Sequence, residues 1–191
     1  MKTSWPTLTE EALHCEKCRL CQTRTNVVLG EGNPHASLMF IGEGPGQQED
    51  LTGRPFVGAA GQLLDKMLAA IGMTRDQVYI CNIVKCRPPQ NRVPEPDERA
   101  ACMDYLRQQV ALVRPKVVVC LGSTPTRALL GDHMRITRDR GVWQLKKGVW
   151  FMPTFHPAAL LRDLDKKRPA WEDFKAIRDK LIELGVYESR M

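Results

Sequence analysis

Apolar residues fall into two kinds of pattern along this chain. Four short runs are almost continuously apolar: Ser37-Leu-Met-Phe-Ile41, Val78-Tyr-Ile-Cys-Asn-Ile-Val84, Lys116-Val-Val-Val-Cys-Leu121 and Val149-Trp-Phe-Met-Pro-Thr-Phe155. Their length and β-branched content predict strands buried on both faces. Between them the spacing turns helical. Leu63, Leu64, Met67, Leu68 and Ile71 form a stripe within Val57 to Ile71, closed by Gly72. Asp97 to Val113 carries Ala101, Tyr105, Leu106 and Leu112 and stops at Arg114-Pro115. A short helix capped by Ser123 or Thr124 ends at Gly131, and a last one spans Trp171 to Leu184. Pro88 to Pro96 holds four prolines and reads as a loop.

Strand–helix alternation of this kind predicts an α/β fold: three layers, α/β/α, around a central four-stranded parallel sheet. With no repeat, low-complexity tract or linker-like break, residues 1–191 are expected to form a single domain. Ligands of such sheets bind at the carboxyl ends of the strands. Three unusual segments fall there: Gly42-Glu-Gly-Pro-Gly46 after the first strand, Asn82 late in the second, and His156-Pro157 after the fourth. One crevice could hold all three.

Composition narrows the classes. Of 191 residues, 43% are hydrophobic and 26% charged, ordinary globular usage. The longest apolar runs are too short to cross a bilayer, and no run of signal-peptide length follows the N-terminus. The expectation is a cytoplasmic monomer with no membrane partner. The formal charge of +6 sits almost wholly in residues 135–168, where nine basic residues meet three acids; the rest of the chain balances, 19 against 19. A basic surplus confined to one segment suits a face that meets a polyanion.

Seven cysteines in such a compartment argue for metal rather than disulfides. Cys15-Glu-Lys-Cys18 is a CxxC pair, extended by Cys21; Cys86 and Cys102 lie far downstream, outside the strand-like runs. Two distant pairs converging would supply a four-thiolate site, and spacing alone leaves zinc and iron–sulfur both open. Cys81 and Cys120 lie inside strand-like runs and read as small buried residues. The CxxCxxC run lacks the nearby Cys-Pro of bacterial ferredoxins, which disfavours an electron carrier.

The glycine-rich turn is neither a dinucleotide fingerprint, since Gln47 takes the place of its last glycine, nor a P-loop, since no GK[ST] follows. What remains is a turn whose backbone amides can approach a ligand, with Glu43, Glu49 and Asp50 nearby. Taken with Gly53-Arg-Pro-Phe56, with Asn82 before Val84-Lys-Cys-Arg-Pro-Pro89, and with His156-Pro-Ala-Ala-Leu160, this turn resembles the first motif of the family 4, iron–sulfur uracil-DNA glycosylases. The likeness runs from about Cys15 to Leu161, in the family's motif order.

The resemblance implies a [4Fe–4S] cluster on Cys15, Cys18, Cys86 and Cys102, with the N-terminal segment, about residues 1–30, tied to the core through it. It implies an enzyme that flips uracil out of double- or single-stranded DNA and hydrolyses its glycosidic bond. The only lysine in the matched motifs is Lys85, beside Cys86, so no Schiff base to the sugar is expected and the enzyme is expected to be monofunctional. Phe56 would stack on the base and Asn82 would read N3–H and O4. Rejecting thymine needs bulk near C5, which Glu49 or the turn around it is expected to supply. His156 would donate to uracil O2 as charge develops there. Glu43 and the Gly44 backbone are the expected water contacts. Leu160 matches the apolar wedge that fills the stack, with Arg162 behind it on phosphate. The rival is a capture protein of the same superfamily that keeps uracil-DNA without turnover. That branch uses a histidine after the second strand, and Arg87 to Glu98 contains none.

Overall fold

The computed structural model describes residues 3–187. Helix α1 (Trp5–Leu13) opens the chain, capped by the Ser4 side chain, which accepts from the Thr7 amide. The edge strand β1 (Glu31–Gly32) and β2 (Leu38–Gly42) lead into the short helix α2 (Gln47–Thr52) and the longer α3 (Ala59–Ala70). Strand β3 (Tyr79–Asn82), α4 (Pro96–Val113), β4 (Val117–Leu121) and α5 (Ser123–Leu130) follow. The last part holds α6 (Ile136–Asp139), the hairpin β5 (Gln144–Lys146) and β6 (Val149–Thr154), then α7 (Pro157–Arg162) and α8 (Lys167–Glu183).

The strands form one sheet in the order β1-β3-β2-β4-β6-β5. Its four inner strands are parallel, as the buried runs predict, but the sheet has six strands rather than four. Antiparallel edges extend it on both sides. β1 is two residues long, and β5 exposes Leu145, so neither carries a burial pattern that a sequence could display. The β5–β6 turn places Lys147 and Gly148 both at positive φ (51° and 79°), the conformation that matches hairpin twist.

Alternate residues of the inner strands feed two cores. Met39, Ile41, Cys81, Val118 and Cys120 face α1 and α4, meeting Leu8, Ala12, Tyr105 and Leu106. Leu38, Phe40, Ile80, Val117 and Val119 face α3 and α8, meeting Leu64, Leu68, Phe174 and Ile177. Helices on both faces bury the central strands completely, which leaves the sheet's carboxyl end as the place for a crevice.

Candidate active site

A cavity of about 640 Å³ opens at that end, lined by the glycine-rich turn, Phe56, Asn82, the proline-rich loop, the start of α5 and the start of α7. Of the residues singled out in the sequence, Glu43, Gly44, Glu49, Phe56, Asn82, His156 and Arg162 all border it.

Asn82 ends β3 and is 1% exposed. Its Oδ1 is fully buried without a hydrogen-bond partner among the described residues. A buried acceptor left unpaired costs about 1–3 kcal/mol, so the position favours a ligand with a matching donor. Gly42 makes room for it: a Cβ there would come 2.4 Å from Asn82 Oδ1 and 2.6 Å from Phe56 Cζ. Gly42→Ala should therefore displace both groups and reduce turnover on the natural ligand at least about tenfold, with a far-ultraviolet spectrum unchanged from the parent.

Phe56 is 5% exposed and sits at φ 51°, a left-handed backbone that costs a non-glycine residue roughly 1–3 kcal/mol. Neighbours hold it there. Arg75 Nη1 donates to the Phe56 carbonyl (2.8 Å), and Glu49 Oε1 accepts from the Val57 and Gly58 amides (2.9 and 2.8 Å). Glu49, expected beside uracil C5, lies on α2 and shapes the aromatic loop through these bonds.

The Phe56 and His156 rings stack with centroids 5.5 Å apart. His156 caps α7: its Nδ1 accepts from the Ala158 amide (3.0 Å), so the proton of the neutral ring is on Nε2. Burial pushes its pKa down to about 4, the Arg162 charge adds to this, and Glu49 opposes it. At neutral pH the site therefore holds a neutral imidazole whose Nε2–H has no partner among the described residues.

Glu43 Oε2 accepts from the Thr124 hydroxyl (2.5 Å). Thr124 has the sequence position of a helix cap, but Gly122 occupies the cap and Thr124 orients a carboxylate instead. A Cβ on Gly44 would lie 2.8 Å from Val84 Cγ2, so the turn's backbone lies directly against the wall behind β3. The proline-rich loop contributes Pro88, Asn91 and Arg92, with Arg92 paired bidentately to the fully buried Glu98. Arg92 carries no local sequence signal beyond its place in that loop.

Leu160 requires correction. It is 2% exposed and packs with Phe155, Ala170, Leu63 and Met67, because the inward face of α7 falls on it. The exposed apolar side chain beside it is Leu161, 46% exposed. The basic segment also divides. Arg140 is paired to the buried Asp173 and Arg138 to Asp139, while Arg162 and Lys166 reach the cavity rim.

A second, smaller cavity lies against the α1–α4 face, lined by Cys15, Cys18, Cys21, Cys86 and Cys102 with Arg24, Lys85 and Tyr105. Arg24 Nη1 donates to Cys86 Sγ (3.4 Å) and to the Cys15 carbonyl (2.7 Å); the Lys85 amide donates to Cys102 Sγ (3.3 Å). Such N–H donors suit sulfurs that carry negative charge. Burial pushes the Cys86 thiol up to about 11, and the Arg24 guanidinium opposes that rise. Among the described residues no three ligating side chains converge on a single-ion site, whereas a multi-metal cluster needs thiolates spread around a larger body. Cys81 and Cys120 are fully buried in the strands, away from this cavity.

Residues 29–175 match the family model of the uracil DNA glycosylase superfamily. The chain belongs to that superfamily. It is 50% identical to the Type-4 uracil-DNA glycosylase of Sulfurisphaera tokodaii, over 91% of this chain and 83% of that protein. It is 49% identical to the Type-4 enzyme of Thermotoga maritima, over 93% and 95%, and 44% identical to that of Archaeoglobus fulgidus, over 89% and 89%. The superfamily match spans the glycine turn, Asn82 and His156, so the cavity described above lies within it. Among the described residues no helix is long and apolar enough to cross a membrane.

Proposed function

We propose that this member of the superfamily is a monofunctional uracil-DNA glycosylase that starts base-excision repair. The observation that carries the reading is the buried, unpartnered Asn82 Oδ1 beside an aromatic ring and a neutral histidine. Uracil presents a donor at N3 and an acceptor at O4, the complement of a side-chain amide; cytosine presents the reverse. Phe56 offers its face to the flipped pyrimidine. His156 Nε2–H would donate to O2 as the departing base gains charge.

Glu43, held by Thr124, and the Gly44 backbone would position the attacking water. Thr124→Val should then lower turnover about tenfold while leaving affinity for uracil-DNA within about twofold, a split that a binding role would not give. Glu49 acts on the base through the loop that carries Phe56. Arg162 at the rim faces phosphate, and Leu161 takes the wedge role from Leu160.

The cavity argues against lyase chemistry by lysine. Lys85 is 2% exposed and bonded to the Asn82 carbonyl, and Lys166 at the rim is paired to Asp163 (3.3 Å). It also argues for turnover over capture, because His156 is the one histidine lining the cavity among the described residues.

Cys15, Cys18, Cys86 and Cys102 would hold a [4Fe–4S] cluster, which when bound supplies a cross-link between the N-terminal segment and the core. Residues 1–191 would then work as one domain. Removing iron with a chelator should expose Lys17, Arg19 and Arg24 to trypsin at least about tenfold faster than in the loaded protein, read by mass spectrometry.

The direct test is an end-labelled strand with one uracil, alone and in duplex, treated with alkali after incubation. Breakage at uracil, and none at thymine or cytosine, is the expected result. Retention of the DNA without breakage would favour capture, and neither would overturn the reading.

A further inference from the structure

Lys85 is among the largest fully buried side chains of the protein, and nothing in the excision chemistry uses it. Three of its atoms bind three different parts of the structure. Its carbonyl accepts from the Val28 amide (2.7 Å), holding the segment between the N-terminal cysteines and β1. Its amide donates to Cys102 Sγ on α4 (3.3 Å). Its Nζ turns back and donates to the Asn82 carbonyl at the end of β3 (2.6 Å).

A buried ammonium is costly unless opposite charge or strong acceptors surround it. No carboxylate pairs with Lys85 among the described residues. What it meets instead is a sulfur: its own amide lies against Cys102 Sγ (3.3 Å). A metal-bound thiolate at Cys102 would supply the missing counter-charge. The side chain thus spans the distance from the cysteine cavity to the backbone of the residue that reads the base.

We propose that Lys85 is a positioning residue that fixes the Asn82 amide, and so the selectivity for uracil, to the cysteine site. This rests on the uracil reading above. Without the bond to the Asn82 carbonyl, no side chain among the described residues would hold that peptide, and the end of β3 would keep only the backbone bonds just beyond it, from the Ile83 and Val84 amides to the Gly42 and Glu43 carbonyls (2.9 and 3.2 Å). The Asn82 side chain, with no partner of its own on Oδ1, would then sample other orientations.

The test compares the parent with Lys85→Met, which keeps length and removes the donor, and Lys85→Gln, which keeps a donor. Iron and acid-labile sulfide per chain are measured first, then binding to DNA carrying one uncleavable 2′-fluoro-deoxyuridine against the same DNA with thymidine. We expect Lys85→Met to keep its iron yet lose about tenfold of the preference for the uracil analogue, with KM rising more than kcat falls. Lys85→Gln should recover part of that preference. Unchanged preference in iron-replete Lys85→Met overturns the inference. Should Lys85→Met lose iron, Lys85→Gln decides: reduced preference with full iron supports the link, whereas loss of iron or intact preference there overturns it. A parent protein that shows no preference for the uracil analogue would instead sink the functional reading itself.

Discussion

Asn82→Asp should abolish uracil excision, lowering kcat/KM by about 10³-fold or more. The amide both accepts and donates, and a carboxylate in its place only accepts. Uracil O4 would then face an anion inside a buried site, while N3–H alone kept its partner. Leaving a polar group mismatched in a site built to read it costs about 10⁴–10⁵ in the best-documented cases, well above the loss of a single contact. The enclosure is visible: Asn82 is 1% exposed and its Oδ1 is out of reach of water. Single-turnover cleavage of a uracil oligonucleotide measures the effect, with melting temperature and iron content as controls for folding. Activity within tenfold of the parent would mean that uracil is read elsewhere in the cavity.

His156→Ala should lower the rate of bond cleavage about 10²–10³-fold, the size seen when one donor to a developing oxyanion is removed. Binding to uracil-DNA should change little. Because Nδ1 also caps α7, the substitution removes a cap worth about 1 kcal/mol. His156→Asn separates the two roles: its side-chain oxygen can still cap, and it lacks the Nε2–H. If both variants lose rate equally, the donor is responsible. If Asn restores most of the rate, His156 serves the helix and the leaving group is stabilised by something else.

The same ring sets a pH dependence. Its folded pKa, about 4, lies below the ordinary value of 6.5. The unfolded chain therefore binds the proton first, so the ring's contribution to stability is complete above about pH 6.5 and is lost as pH falls toward 4. Protonation would also force a second donor against the Ala158 amide. On this account the cleavage rate should show no histidine-like step between pH 6 and 7.

The parallel core was legible because strands buried on both faces must be apolar throughout, and Val117 to Leu121 is. The convergence of Asn82, His156 and the glycine turn followed from topology alone, since all three end strands of one parallel sheet. Other features left no such trace. α1 had its Ser4 cap and Pro6 in view, yet only two of its residues, Leu8 and Ala12, are buried, too few for a clear stripe. Leu160 and Leu161 are adjacent and chemically identical; only the rotation of α7 decides which is buried. Thr124 looks like a cap in sequence because its partner, Glu43, lies 81 positions away. Much of the basic segment is consumed by pairing, as with Arg140 and Asp173, which a charge count does not reveal.

The cysteine cavity draws its walls from segments more than eighty residues apart in the chain. Cys15 and Cys18 precede every strand, and Cys102 lies on the helix after β3. Contacts so far apart in sequence close slowly and late. During synthesis the N-terminal thiols therefore stay apart from Cys102 until α4 has formed and packed.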